Sequence, residues 1–462
     1  MEENNNLKRF TTAQFLNFCL GFFGLQFAWQ MRIILSGPVT EGLGASPFIY
    51  GLIWLAGPFT GMVVQPLIGA LSDKTVSPFG RRRPYLLGGA LLASIALWIF
   101  PNSEYVANAI HNVTGLHLPA CTALLIAAVM IWIIDACVNV AQGPYRALIP
   151  DVVVPEQHSI ANSYISLAIG LGSVVAAGTA PFLKWAFNYQ MSIPAQFIMA
   201  ALAFTLGMLW TCITIKEHQT KKDMIKDVAT AEIKEDTFID ALKNFFALSP
   251  EVSKICIMQF FTWIGTMCMM IFFTQYSVHT IYSVPDLSSV SDEISNYYAN
   301  ATLIGTNFSS ICFAIFNLIC FLVAIPIGVL SAKYGNKRVH IISLITMILA
   351  YLGMAFSSSP KVVAFMMGVA GIGWASICAL PFAMLSQYIK KGTEGSVMGI
   401  FNIFIAGPQV FVCTLVAWFI SKCIIKLDDG LINYHWEYVF IVGAICLAVA
   451  ALITHSVKEK RE

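Results

Sequence analysis

An aspartate stands alone in the middle of the apolar run ALLIAAVMIWIIDACVNVAQ (123–142), with no Lys or Arg on the same run. A charge at that depth of an apolar helix costs at least about 2.5 kcal/mol on insertion scales. Asn139, Gln142 and Arg146 follow Asp135 at offsets of four, seven and eleven, so all four side chains fall on one helical face. That face must line water or protein rather than lipid. Two chemistries fit Asp135: a neutral or paired structural carboxylate, or a carrier that takes a proton on one side of a barrier and releases it on the other. A sodium ion would need several oxygen ligands around one point, and no such set is visible along the chain.

Arg32, late in LQFAWQMRIILSG (25–37), is the second charge inside an apolar run. It either snorkels to the outer interface or, three residues from Trp29 and so on nearly the same face, projects inward beside it. In the second arrangement Trp29 stacks on a sugar ring and Arg32 donates hydrogen bonds to hydroxyls, or pairs with Asp135 once that residue is deprotonated. Gln65, Asn317, Asn402 and Gln409, with Asn139 and Gln142, are further candidate ligand contacts, and Gln26, Gln30, Gln259, Thr262 and Thr266 are of the same kind. Each alone could be glue between helices. Together they supply neutral donors and acceptors suited to a sugar, without the charge cluster that an amino acid or a phosphate ester demands. The loop from Gly69 to Tyr85 adds Asp73, Arg81, Arg82 and Arg83. Three arginines hold such a loop in the cytoplasm. Taken with Arg146, they also read as a cytoplasmic gate in which Asp73 meets the basic cluster, or a helix end, in one conformation and leaves it in the other.

The elements that position these residues are membrane spans. With 57% apolar and 11% charged residues, the chain has too little charge to cover a soluble surface. Runs of roughly 20 apolar residues, the length of a spanning helix, predict twelve helices near 11–36, 48–72, 84–100, 118–142, 158–186, 193–214, 252–281, 309–331, 339–357, 361–389, 395–421 and 437–457. Lys and Arg cluster on alternate connections, which places those connections and both termini in the cytoplasm. The opposite connections 101–117 and 282–308 contain neither residue, and the triplets at Asn112, Asn300 and Asn307 are expected as glycan acceptors on outer loops. The first apolar run lacks a small-residue cleavage site and is expected to stay as the first helix.

Residues 215–250 form one long charged connection, expected as a linker helix on the membrane surface. It separates an N-terminal six-helix bundle (1–214) from a C-terminal one (251–462). The halves echo each other: Gly69–Lys74 (GALSDK) returns as Gly328–Lys333 (GVLSAK), and Pro144–Leu148 (PYRAL) as Pro381–Leu385 (PFAML). Repeated halves around a midplane site are a common plan of secondary transporters. The twelve cysteines include no CxxC pair, so neither a metal site nor a disulfide framework is expected. The net charge of +2 gives no pointer to nucleic acid. No nucleophile–base pair or phosphate loop suggests an enzyme.

Four blocks carry a resemblance. IWLAGPFTGMVVQPLIGALSDKTVSPFGRRRPY (53–85) and WIIDACVNVAQGPYRALIPD (132–151), with GIGWASICALPFAMLS (371–386) and MGIFNIFIAGPQV (398–410), resemble the plant sucrose/proton symporters and their animal and bacterial relatives. These are a branch of the major facilitator superfamily near the glycoside-pentoside-hexuronide cation symporters. The resemblance implies an all-α major facilitator fold of two rocking six-helix bundles in the cell membrane. It also implies uptake of a disaccharide with a proton, an aspartate at the place of Asp135 being the residue tied to proton coupling. A sugar, the bilayer and the proton are the expected partners, with no other cofactor and a monomeric carrier. The chain departs from the family in helix 7, where Gln275 and His279 stand in place of an acidic and arginine-containing stretch. It also lacks a histidine in EGLGASPFIYG (41–51), and has Arg32 where many relatives are neutral. Sucrose, maltose or another α-glucoside all remain open, as do a proton-independent uniporter or exporter and a membrane sugar sensor.

Overall fold

A computed structural model describes residues 8–217, 245–288, 290–388, 394–427 and 430–459; most of the expected surface linker lies outside them. Twelve helices are long and apolar enough to cross a membrane among the described residues. In chain order these are α1 (Thr12–Gly42), α2 (Pro47–Trp54 continuing as Ala56–Lys74), α3 (Arg83–Ile99), α4 (Thr122–Val152), α5 (His158–Phe187), α6 (Ile193–Thr214), α7 (Pro250–Tyr276), α8 (Asp292–Tyr334), α9 (Asn336–Ala355), α10 (Pro360–Ser386), α11 (Glu394–Phe411, extended to Lys422) and α12 (Tyr438–Ser456). α2 breaks at Leu55 because Pro58 brings no N–H to the ladder and is tolerated only in the first turn of a new helix.

Three stretches differ from the sequence expectation. α4 runs on through Pro144 and Pro150 to Val152, as buried helices do where neighbours satisfy the carbonyls that proline frees. α8 begins at Asp292, so most of the expected 282–308 connection is helix. Asn300 and Asn307 therefore sit within α8, and Asn112 lies in a short helix, Ser103–Thr114, rather than on open loops. A hairpin of β1 (Ile424–Lys426) and β2 (Ile432–Tyr434), paired antiparallel with Ile425 opposite Asn433, joins α11 to α12.

Contacts divide the chain into two units, Met1–Leu43 with Phe59–Glu235, and Gly44–Pro58 with Asp236–Glu462. Each unit has the same internal order. In the first, α1 packs on α5 and α6 while α3 packs on α4 and α6; in the second, α7 packs on α11 and α12 while α9 packs on α10 and α12. Small residues bring the backbones together, as lipid-embedded helices require. A Cβ on Gly24 would lie 2.1 Å from the Ala203 carbonyl oxygen of α6, and one on Gly265 of α7 2.9 Å from that of Gly443 on α12. Gly24→Leu is expected to cost at least about 1–3 kcal/mol by overpacking. Gly178→Leu, where a Cβ meets nothing within 4 Å, serves as the control. Melting both variants in detergent checks this; equal midpoints would count against the tight α1–α6 contact.

The echo also extends to hydrogen bonds. Ser72 donates to the Gly69 carbonyl and Ser331 to that of Gly328, each at 2.8 Å. Ile215-Lys216-Glu217 after α6 matches Val457-Lys458-Glu459 after α12. Glu217 accepts the N–H groups of Arg81 (2.7 Å), Arg82 (3.0 Å) and Arg83 (3.1 Å) at the start of α3. Glu459 accepts that of Asn336 at the start of α9 (2.8 Å). These carboxylates satisfy amides that a helix start leaves open, at the positive end of its dipole. The glycine beside each, Gly80 (φ +98) and Gly335 (φ +91), has left-handed backbone, and a Cβ there would run into the glutamate.

Candidate functional site

α1 is buried on almost all sides by α4, α5 and α6 within the first unit, so a charge at its centre cannot reach an interface. Arg32 is fully buried, and its Nη2 donates to Oδ2 of an equally buried Asp135 at 2.6 Å. The snorkelling alternative for Arg32 is therefore overturned. So is the idea of an Asp135 without a cation nearby: the cation comes from another helix, α1. Two opposite charges buried together form a neutral unit, whereas either alone would carry the full penalty of burial.

The guanidinium also lies over the Trp29 ring, 5.4 Å from its centroid, as the three-residue spacing predicts. Asn139, one turn beyond Asp135, donates both to the Asp135 backbone carbonyl (2.9 Å) and to Thr60 Oγ1 of α2 (3.1 Å), tying α4 to α2. Asp135 Oδ1 has no hydrogen-bond partner among the described residues. A carboxylate with one oxygen held by a cation and the other open can accept a proton there. A protonated carboxyl then loses its claim on the arginine.

Gln65 packs on α4, its Cγ 3.3 Å from where a Cβ on Gly143 would stand. Gln142 is half-buried and Asn402 exposed. Asn317 and Gln409 in the second unit turn their amides to their own helices, donating to the carbonyls of Phe313 (2.8 Å) and Ile405 (3.1 Å). His279 lies in the π-helical end of α7, stacked on Trp436 (5.7 Å between centroids) with Nδ1 at 2.9 Å from the Val284 carbonyl oxygen.

A second cluster forms at the α2–α3 connection. Arg82 reaches Asp73 (2.5 Å), Ser72 Oγ (2.5 Å) and Asp151 (2.9 Å), and Arg81 reaches the other oxygen of Asp151 (2.5 Å). Arg83 joins through its backbone N–H to Glu217. Arg146 is not among these contacts; its guanidinium lies 5.5 Å from the Phe22 ring centroid. Asp151 and Glu217 complete the cluster and were not expected from the sequence. The signal that could have found Asp151 is an acid ending the Asp135 helix where a basic loop must pack.

Comparisons with known proteins agree with this architecture. A family model described as MFS/sugar transport protein matches residues 22–285, and one described as Major Facilitator Superfamily matches 255–461. The sucrose transport protein SUC4 of Arabidopsis thaliana is 26% identical over 423 residues, covering 84% of this chain and 80% of that one. The sucrose transport protein SUT2 of Oryza sativa subsp. indica is 27% identical over 424 residues, covering 84% and 83%. Among solved structures, the nucleoside transporter NupG superposes with a TM-score of 0.65 at 14% identity, covering 98% of this chain and all of that one. A D-xylose-proton symporter superposes with a TM-score of 0.63 at 16% identity, covering 97% and 98%. The relatives and the fold are those of integral, multi-pass membrane transporters, not of enzymes.

Proposed function

The chain belongs to the major facilitator superfamily, and on that premise we propose that it imports a disaccharide such as sucrose, maltose or a related α-glucoside together with a proton. The observation that carries the reading is the buried Arg32–Asp135 pair beside Trp29. With Asp135 ionised, Arg32 is occupied by the carboxylate. A proton on Asp135 removes the charge that holds it, and the guanidinium, a fork of five N–H donors, turns to sugar hydroxyls while Trp29 covers the apolar face of the ring. Sugar on Arg32 in turn keeps the cation away from Asp135 and so favours the proton. Each ligand promotes the other's binding, the reciprocity that symport requires.

In this reading the carrier is monomeric in the cell membrane, with both termini and the Arg81–Arg83 loop cytoplasmic and no cofactor beyond the coupling proton. Asp73, Arg81, Arg82 and Asp151 act as the cytoplasmic gate. Gln65, Gln142, Asn317, Asn402 and Gln409 stand as secondary sugar contacts. The test is purified protein in liposomes with a panel of disaccharides, with and without an inward proton gradient. Accumulation that appears with the gradient and collapses with a protonophore is expected. Uptake indifferent to the gradient would mean uniport, and binding without uptake would mean a sensor; either result overturns the proposal.

A further inference from the structure

We propose that Gln259 and Trp263 of α7, with Trp374 of α10, form a sugar subsite carried entirely by the second unit; the proposal rests on the sugar-transport reading above. Gln259 is fully buried, yet among the described residues neither its amide oxygen nor its amide nitrogen has a hydrogen-bond partner. One turn further on the same face, the indole nitrogen of Trp263 is also buried and without a partner among the described residues. The neighbouring hydroxyls behave differently: Thr262 donates to the Met258 carbonyl (2.9 Å) and Thr266 to that of Thr262 (2.8 Å). The hydroxyls beside Gln259 and Trp263 are thus met within α7, whereas the Gln259 amide and the Trp263 indole nitrogen are not.

An unmet buried polar group is destabilising, and leucine and phenylalanine would fill these positions without that cost. The three atoms comprise two donors and one acceptor with no charge among them. Their complement is a ligand whose groups both donate and accept and carry no charge, which is the chemistry of neighbouring sugar hydroxyls. An aromatic surface lies beside them. The Trp263 and Trp374 rings meet edge to face at 5.7 Å and 81°, and Trp374 continues to Phe316 of α8 at 6.3 Å. Such rings take the C–H face of a pyranose while the amide and indole take its hydroxyls.

Equilibrium binding of sucrose and maltose to the purified full chain, followed by tryptophan fluorescence, tests the subsite, with KM measured in the liposome assay. Gln259→Leu and Trp263→Phe are each expected to weaken binding and raise KM about tenfold, the loss of one well-made hydrogen bond, with Vmax near wild type. Trp263→Phe also loses most of the sugar-dependent fluorescence change. A deoxy sugar lacking the contacted hydroxyl binds the wild type more weakly than the parent sugar, and that difference vanishes in Gln259→Leu. Where Gln259→Leu folds poorly, Gln259→Met replaces it. If wild type binds sugar and the variants bind it within about twofold, the subsite alone is overturned and the residues are packing. If wild type binds no disaccharide, the sugar reading falls and the subsite with it.

Discussion

Asp135→Asn is expected to abolish gradient-driven accumulation while leaving exchange of sugar across the bilayer. An amide keeps the size and hydrogen-bonding capacity of the protonated acid but carries no proton, so Arg32 is released permanently. For one proton per sugar, each pH unit of gradient is worth about 1.4 kcal/mol, or about tenfold accumulation. In the variant that factor falls to one. Counterflow of labelled against unlabelled sugar persists, because the sugar-loaded carrier still reorients. Paired measurements of accumulation and counterflow in the same vesicles decide the matter. An Asp135→Asn carrier that concentrates sugar as wild type does would show that the carboxylate is only structural.

Arg32→Leu should be the most damaging single substitution in the first unit. Both partners of the pair are fully buried, and removing one from such a pair typically costs about 3–5 kcal/mol because the other charge is left uncompensated. Removing both charges is far milder, since a buried pair replaced by neutral groups is often neutral or stabilising. The double variant Arg32→Leu/Asp135→Asn is therefore expected to regain most of the melting temperature and folded yield lost in Arg32→Leu, but not coupled transport. A single variant as stable as wild type, or a double variant no better than the single, would contradict the pairing.

The twelve spans were legible because lipid imposes a local rule: a segment either has enough consecutive apolar residues or it does not. Their ends were less so. Asp292–Asn300 and Arg146–Val152 are polar enough to read as connection, yet they continue helices whose propensity and neighbours allow it. Asp135 and Arg32 stood out singly because a charge in an apolar run is costly wherever it lies, and Trp29 followed from its three-residue spacing to Arg32. That Arg32 answers Asp135 was only one of several alternatives, since the partners are 103 residues apart and nothing in the spacing of either helix selects the other. The same limit hid Asp151 and Glu217, acids at helix ends with no local anomaly to mark them. Neutral amides were the least legible. Asn317, Gln409 and Gln259 look alike in sequence, and only packing separates amides that serve their own helix from one left unmet.

The closed Arg32–Asp135 pair also has an electrical consequence. As an ion pair it contributes no net charge, so a carrier returning empty moves nothing through the field at this point. Under the proposed proton symport, a proton aboard and a neutral sugar bound would leave the same site with one positive charge. A membrane potential worth about 2.3 kcal/mol per charge per 100 mV would then act on the loaded crossing and leave the empty return untouched. An interior-negative cell would drive uptake through voltage even where the pH is equal on both sides.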